Sequence, residues 1–250
     1  MTPPSGAQYE IVSGDQRVVV VEVGGGLRSW EGVLDGFGLE EMSRSGRGEV
    51  LAPWPNRLAD GRYTFDGETH ELPLDDRKAG AAIHGLVRWA SWQAVEHDDA
   101  NVALEHVLHP RPGYPFALRL RVEYALDPDG LTVRTSAENV GDRACPFGVG
   151  HHPYIARTAD SVFGSEQLDD CRRWDGELQL ADVTVWADDA WPYVQLYTGD
   201  DRPDVARRAV AVEPMTCPPN AFNTGEGVIR LEPGERFDGR WGIKLTRRWA

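Results

Sequence analysis

Residues 118–137 have the sequence LRLRVEYALDPDGLTVRTSA and give the clearest secondary-structure signal in the chain. Apolar residues alternate with polar or charged ones over 118–124 and again over 131–135. Alternation with a period of two is typical of a strand that has one buried and one solvent-facing side. The Asp-Pro-Asp-Gly sequence at 127–130 is typical of a turn. The segment is therefore predicted to be a two-faced antiparallel hairpin.

Short strand patterns closed by turn residues recur along the whole chain. Asp66-Gly67 separates two such patterns and predicts a second hairpin, because glycine tolerates positive φ. Further predicted strands cover residues 16–23, 183–186, 194–197, 210–212, 228–231 and 241–245. Helical periodicity is almost absent, and only residues 166–178 have any helical character. Many short strands at this spacing predict an all-β sandwich or barrel. We expect one domain over residues 9–250, preceded by a flexible tail over residues 1–8.

Composition excludes several classes of protein. The chain has 250 residues, of which 41% are hydrophobic and 26% are charged, and no run approaches the roughly 18 apolar residues of a membrane span. This balance excludes membrane-helix, collagen-like, disordered and disulfide-scaffold proteins. The net charge is −14 and there is no run of basic residues, so we expect neither nucleic acid nor a membrane surface as a partner.

The cysteines and the N-terminus indicate a reducing compartment. Cys145, Cys171 and Cys217 form a sparse, odd-numbered set without a C-x-x-C pair, which argues against a disulfide framework or a zinc site. Residues 1–6 have neither a positive region nor an apolar core, so they do not resemble a signal peptide. We therefore expect a cytoplasmic protein.

Four dense clusters remain outside the alternating strands. They are APWPNRLADG (52–61), IHGLVRW (83–89), PFGVGHHPY (146–154) and VAVEPMTCPPNAFN (210–223). The planar guanidinium of Arg57, beside Trp54 and Asn56, is suited to binding hydroxyl groups. His84 alone is as well explained by a structural role.

The third and fourth clusters contain groups that could transfer protons. Adjacent His151 and His152 point to opposite sides of an extended chain, so one can face a pocket while they do not share a metal. Glu213 ends an apolar strand, where desolvation would raise its pKa and suit it to general-base work. An exposed strand-end glutamate fits the same spacing. The set favours proton transfer over covalent catalysis, since no serine nucleophile elbow is present.

These clusters resemble the motifs of the aldose 1-epimerases (mutarotases) of the galactose mutarotase-like superfamily. The matching motifs are W-P-N-R at 54–57, H-G-L-x-R-W at 84–89, H-P-Y at 152–154 with a glycine at 150, and E-P-M-T at 213–216. They stand in the family's order, and the resemblance covers nearly the whole chain. It implies a large antiparallel β-sandwich with little helix, a monosaccharide substrate, no cofactor and no metal, and a monomer or weak homodimer.

The resemblance also implies roles for individual residues. Glu213 is similar to the general base that takes the proton of the anomeric hydroxyl, and His152 to the general acid that protonates the ring oxygen. Arg57 and His84 resemble residues that hold the sugar, and Asp169 resembles an aspartate that binds its hydroxyls. Only residues 153–168 separate His152 from Asp169, fewer than in the family. Either this branch has a shorter connection or residues are absent from the chain as written.

Three functions are compatible with the sequence. The first is an aldose 1-epimerase acting on a free aldohexose of the glucose or galactose type. The second is a hexose-6-phosphate 1-epimerase, for which Arg57 and Arg88 are candidate phosphate ligands, although the acidic charge does not favour a dianionic substrate. The third is a sugar-binding module without turnover, which the short connection before Asp169 suggests.

Overall fold

The computed structural model describes residues 2–246. In chain order, its strands are β1 (Gln8–Ser13), β2 (Gln16–Val21), β3 (Leu27–Trp30), β4 (Val50–Leu51), β5 (Arg57–Ala59), β6 (Arg62–Phe65), β7 (Glu68–Glu71), β8 (Ala81–Ile83), β9 (Gln93–His97), β10 (Asn101–Leu108) and β11 (Leu118–Asp127). They continue with β12 (Gly130–Asn139), β13 (Cys145–Phe147), β14 (Gly150–His151), β15 (Tyr154–Ile155), β16 (Asp169–Arg173), β17 (Glu177–Leu180), β18 (Val183–Ala187), β19 (Tyr193–Tyr197), β20 (Val210–Met215), β21 (Ile229–Leu231) and β22 (Arg236–Leu245). The helices are α1 (Ala159–Phe163) and α2 (Ala221–Thr224).

Two antiparallel sheets dominate the architecture, as the sequence predicted. A seven-stranded sheet has the order β17-β18-β22-β12-β11-β10-β9, and a six-stranded sheet has the order β16-β19-β20-β14-β4, with β15 also pairing with β20. A three-stranded sheet, β1-β2-β3, and three two-stranded sheets, β13-β21, β5-β8 and β6-β7, complete the fold. The prediction of an all-β fold with little helix is confirmed. Residues 166–178, which had helical character in the sequence, contain β16 and the start of β17 instead.

The hairpin of residues 118–137 lies at the centre of the seven-stranded sheet. β11 and β12 pair from Leu118↔Asn139 to Asp127↔Gly130, so the predicted turn is a two-residue connection at Pro128 and Asp129. The alternate apolar side chains are buried, with Val122 and Val133 fully inaccessible to solvent. The arginines and glutamates between them lie on the outer face and form ion pairs there. The buried face supplies one wall of the core.

Buried side chains from both large sheets pack into one hydrophobic cluster. It includes Leu120 and Trp241 from the seven-stranded sheet and Leu196 and Val212 from the six-stranded sheet. His151 joins the two walls directly, because its Nε2 lies 2.8 Å from Oγ1 of Thr135 on β12. Its ring also contacts the ring of Trp241, with the centroids 5.0 Å apart.

The first residues of the chain, predicted to be a loose tail, make backbone contacts. Val23 N donates to Ser5 O at 3.0 Å and Glu22 N donates to Ala7 O at 3.0 Å. The side chain of Ser5 is buried, and Gln8 already belongs to β1. Residues 5–8 thus continue the three-stranded sheet.

Among the helices of the described residues, none is long and apolar enough to cross a membrane.

The burial of His151 predicts a pH-dependent stability. Desolvation lowers its pKa from 6.5 to about 3, so between these values the unfolded chain binds a proton that the folded chain does not. Stability contributed by neutral His151 is therefore present above pH 6.5 and falls by about 1.4 kcal/mol per pH unit as the pH decreases through this window. His151→Gln should remove this contribution, which urea unfolding measured from pH 7 to pH 4 would show.

The matched control is His109→Gln, at an exposed position. Because the side chain is exposed, the replacement should change the unfolding free energy at pH 7 by less than about 0.5 kcal/mol. An equal slope in the wild type and in His151→Gln would contradict the burial of a neutral imidazole in the core.

Candidate active site

A cavity of about 330 Å³ lies over one face of the six-stranded sheet. Its volume is within the range of small-molecule sites, roughly 300–1,000 Å³. All the residues that the sequence proposed for the site line this one cavity: Arg57, His84, His152, Asp169 and Glu213. Residues separated by more than 150 positions in the sequence are therefore brought together by the fold.

Glu213 reaches the cavity because of the pleat of β20. Its neighbours Val212 and Pro214 point to the other face, where Val212 belongs to the hydrophobic core. Gln195 on β19 is the register partner of Glu213 and lies on the same face. Glu213 is only 2% exposed, and within the described residues its Oε2 has no hydrogen-bond partner. The structure thus contains a desolvated carboxyl group, and not the exposed strand-end glutamate that the sequence also allowed.

His152 lies directly beside Glu213 in the cavity. Its Nε2 lies 3.3 Å from Oε1 of Glu213, and both side chains are almost completely buried. One face of its ring stacks on Tyr154 at a centroid distance of 5.0 Å. His151 points the opposite way into the core, so the sequence prediction for this adjacent pair is confirmed. Gly46 also packs against the His152 ring, where a Cβ atom would lie 2.5 Å from Cδ2.

Arg57 begins β5 and pairs with Ile83, the last residue of β8, and His84 directly follows that strand. Asn56 and His84 both have a positive φ, 54° and 61°, and His84 N donates to Asn56 O at 2.9 Å. A positive φ is uncommon for residues other than glycine and is found often at functional sites. This backbone turns the His84 ring towards His152, with the ring centroids 5.3 Å apart. Arg57 is held at the cavity edge by Asp76, 2.8 Å from its Nε.

Asp169 lies at the exposed rim of the same cavity. It begins β16 and pairs with Tyr197, and its Oδ1 accepts a hydrogen bond of 2.6 Å from Nε2 of Gln195. The connection of residues 153–168 contains the helical turn α1, and Arg207 holds it by hydrogen bonds to Asp160 Oδ1 in α1 and to Glu166 O beyond it. The short connection therefore still brings Asp169 to the cavity.

Burial shifts the pKa values of the acid and the base in opposite directions. Desolvation, followed by the nearby Asp169 carboxylate, raises the pKa of Glu213 well above 4.5, and Arg57 opposes this shift. Desolvation lowers the pKa of His152 to about 3 and that of His84 well below 6.5. Burial disfavours the charged form of each group. Burial therefore favours an uncharged carboxyl group beside an uncharged imidazole.

The sequence analysis missed Glu49 as a site residue. Its side chain is 4% exposed and lines the cavity, opposite Arg88. Arg88 belongs to a quoted motif and was named from the sequence only as a candidate phosphate ligand, and it lines the cavity. Glu49 stands in no recognisable pattern in the sequence, and the only nearby signal is the Gly-Arg-Gly that precedes it and allows the chain to turn into the cavity.

The aromatic residues of the motifs have different positions. Trp54 is buried and packs edge-on against Phe222, with the centroids 5.9 Å apart, so it belongs to the core. Trp89 is 62% exposed at the cavity mouth, where the Arg88 guanidinium lies 4.4 Å from the centre of its ring. Of these two tryptophans, only Trp89 offers a ring to a ligand. Within residues 2–246, no cluster of three or more histidine, cysteine or acidic side chains is arranged to hold a metal ion.

The family model described as aldose 1-epimerase matches residues 8–179. This chain belongs to the aldose 1-epimerase family. It is 32% identical to the Escherichia coli K12 protein named "Uncharacterized protein YihR", over 92% of this chain and 91% of that protein. That alignment spans 286 positions, more than the 250 residues of this chain, so the chain lacks residues that the relative has. The E. coli aldose 1-epimerase is 30% identical over 43% of this chain and 32% of its own length.

Solved structures of aldose epimerases have the same fold. The Caenorhabditis elegans aldose epimerase homologue superimposes with a TM-score of 0.76 and 13% identity, over 96% of this chain and 99% of that one. Galactose 1-epimerase from Lactobacillus acidophilus gives a TM-score of 0.71 and 18% identity, over 93% and 92% of the two chains. The galactose mutarotase-like fold that the sequence motifs implied is confirmed.

The contact between Gly46 and His152 can be tested by substitution. Gly46→Ala should displace the His152 ring, because the added Cβ would lie 2.7 Å from Nε2. We expect the NMR resonances of the His152 imidazole to move and the protein to lose stability. Gly67→Ala is a matched control, since Gly67 has nearly the same φ, +80° against +81°, but no atom within 4 Å of the added Cβ. It should lose stability through backbone strain alone. Unchanged His152 resonances in Gly46→Ala would contradict the predicted contact.

Proposed function

We propose that this protein is an aldose 1-epimerase that interconverts the α and β anomers of a free aldohexose of the glucose or galactose type. The observation that carries the proposal is the buried pair of His152 and Glu213, with Nε2 and Oε1 3.3 Å apart in the cavity. Membership of the aldose 1-epimerase family supports it.

The geometry of the pair suits the chemistry of anomer exchange. A cyclic aldose opens when its O1 hydroxyl loses a proton, the C1–O5 bond breaks and the ring oxygen gains a proton. Rotation about the C1–C2 bond of the open aldehyde, followed by closure on the other face, gives the other anomer. O1 and the ring oxygen are both bonded to C1, so a proton acceptor and a proton donor that lie side by side can serve both atoms.

The opposite pKa shifts help to explain how the pair would turn over. In the ring-opening step, the Glu213 carboxylate takes the proton from O1 while protonated His152 gives one to the ring oxygen. This leaves a neutral carboxyl group and a neutral imidazole, the state that burial favours. Ring closure reverses both transfers. The pair holds one proton before and after each step, so no proton has to be exchanged with solvent during the reaction.

The remaining predicted residues line the same cavity, and we assign them to sugar binding. We assign hydroxyl or ring-oxygen binding to His84, whose ring lies beside that of His152, and to Arg57, whose charge acts on Glu213. Asp169 is assigned to a sugar hydroxyl at the rim, where Gln195 already orients its carboxylate. Hydrogen bonds to fixed polar groups of this kind position a substrate without any metal or nucleotide.

The charges of the cavity support a free sugar over a phosphosugar. Three of the arginines that line it are next to carboxylates: Arg57 to Asp76, Arg88 to Asp75 and Arg202 to Asp201. Glu49 and Asp169 are two further acidic side chains in the lining of the cavity. A dianionic phosphate would have to compete with these carboxylates for the same guanidinium groups.

Replacement of the proposed base is the direct test. Glu213→Gln keeps the size of the side chain but removes the proton acceptor, so kcat should fall by about 10²–10⁴-fold. Polarimetry or NMR anomer exchange on freshly dissolved glucose and galactose would measure the rates. Glu71→Gln, on the exposed outer strand β7, should behave as the wild type.

Three outcomes would overturn the proposal in different ways. Equal rates for the wild type and Glu213→Gln would remove the catalytic role of the carboxylate. Saturable sugar binding without acceleration of anomer exchange would favour the sugar-binding module. Activity on glucose 6-phosphate far above that on glucose would favour the phosphosugar epimerase.

If the pair must hold one proton, kcat/KM should fall at both low and high pH. At low pH both groups of the pair are protonated and no base remains, while at high pH both are deprotonated and no acid remains. Because the pKa of His152 is lowered to about 3 and that of Glu213 is raised, the pair keeps a single proton to lower pH than unshifted groups would, and the acid limb should lie below the ordinary glutamate value of about 4.5. The limbs belong to the coupled pair. A loss of activity centred at or above pH 4.5 on the acid side would contradict this prediction.

A further inference from the structure

We propose that Glu49 and Arg88 form a specificity-determining subsite that binds one substrate hydroxyl, other than that on C1, between a carboxylate oxygen and a guanidinium nitrogen. The proposal rests on the proposed function for the identity of the ligand as a sugar. The pair itself is defined by the geometry of the cavity wall.

Glu49 is a buried carboxyl group with unused hydrogen-bonding capacity. Its side chain is 4% exposed, and its Oε2 has no hydrogen-bond partner among the described residues. Leaving a buried acceptor without a partner costs about 1–3 kcal/mol, and more for a charged group. Such an atom in the lining of a cavity is explained when a bound ligand supplies the missing donor.

Arg88 is held in place opposite this oxygen. Its Nη2 donates to Asp75 Oδ2 at 2.6 Å, and its guanidinium lies against the Trp89 ring. These two contacts fix the plane of the group, so that Nη1 lies 3.9 Å from Oε2 of Glu49. That distance is too long for a hydrogen bond. The two groups face each other without being bonded.

A hydroxyl group set to one side of this 3.9 Å gap can reach both groups, and it suits them better than the alternatives. It can donate its proton to the Glu49 carboxylate and accept a hydrogen bond from Arg88 through its oxygen. An anion would accept from Arg88 but would be repelled by the Glu49 and Asp75 carboxylates. Burial raises the pKa of Glu49, while the Arg88 charge and then the Ser43 and Trp89 side chains oppose that shift. A polar ligand that bridges Glu49 and Arg88 also replaces solvation that the carboxylate has lost.

The backbone fixes this subsite relative to the proposed acid. His152 N donates to Glu49 O at 3.1 Å, and Gly48 N donates to His152 O at 2.9 Å. Glu49 and His152 therefore lie on directly paired segments and cannot move independently. A sugar whose C1 is placed by His152 and Glu213 would present one particular hydroxyl to Glu49, which makes the pair a determinant of which aldose is accepted.

The test compares wild type and Glu49→Gln on glucose, galactose and their 2-, 3-, 4- and 6-deoxy derivatives. Binding is measured by calorimetry, and anomer exchange is measured by NMR. For the parent sugar, exchanging a charged acceptor for a neutral one should weaken binding and raise KM by about tenfold, with kcat changed much less. For the deoxy sugar that lacks the bound hydroxyl, the two proteins should have equal affinity.

Two further variants sharpen the comparison. Arg88→Met should give the same pattern, with its effect lost on the same deoxy sugar. Glu71→Gln should match the wild type on every sugar, because Glu71 is exposed on β7. Equal losses of Glu49→Gln on all the sugars, or no loss on the parent sugars, would overturn the subsite.

These results are separable from those on the proposed function. If the wild type binds sugars without accelerating anomer exchange, the epimerase proposal fails while the deoxy series still tests the subsite by affinity. If Glu213→Gln is inactive but Glu49→Gln loses affinity equally for every sugar, the subsite fails and the epimerase stands. Failure of the wild type to bind any of the sugars would overturn both.

Discussion

The contact between His151 on β14 and Thr135 on β12 is the interaction on which the arrangement of the site depends. It crosses the interior and joins the two large sheets at 2.8 Å. Because side chains alternate along an extended chain, fixing His151 in the core directs His152 to the opposite face. The same pleat sends Val212 into the core and Glu213 to the cavity. The hydrophobic core and the site are therefore the two faces of one six-stranded sheet.

Desolvation is the second constraint, and it acts on the buried proton-bearing groups of the cavity: Glu49, His84, His152 and Glu213. A carboxyl group with a raised pKa beside an imidazole with a lowered pKa reverses the ordinary order of proton affinity, so the shared proton is favoured on the carboxyl group. The net charge of −14 belongs to the whole chain, whereas the pKa shifts of Glu213 and His152 arise first from local desolvation. The His152 ring is shielded from water by Tyr154 and Gly46, which pack against it, and by the paired backbone segments that contain Glu49 and His152. Polar binding groups at the rim, such as Arg57 and Asp169, remain more exposed.

Much of the fold could be predicted because it follows from local patterns. The alternation and the turn residues of the hairpin at 118–137 are both visible in the sequence. The opposite orientations of His151 and His152 follow from the same alternation of side chains along an extended chain. Glu49 could not be predicted, since its burial depends on the pairing of its backbone with His152, which is about 100 residues away in the chain. The left-handed backbone of His84 has no sequence signal beyond the glycine that follows it. Residues 166–178 form strands because pairing with β19 and β18 outweighs weak helical preference.

The short connection over residues 153–168 has a consequence for how such a protein can diversify. Its two ends are anchored separately, with His152 tied to Glu49 and Asp169 paired with Tyr197. Between them, α1 is fastened by Arg207 and contributes none of the proposed acid, base or sugar-binding groups. No residue of 153–168 lines the cavity, so a change in the length of this connection does not have to disturb the cavity lining. Chains of this fold can therefore differ in loop length here while His152, Asp169 and Glu213 keep their places around one cavity.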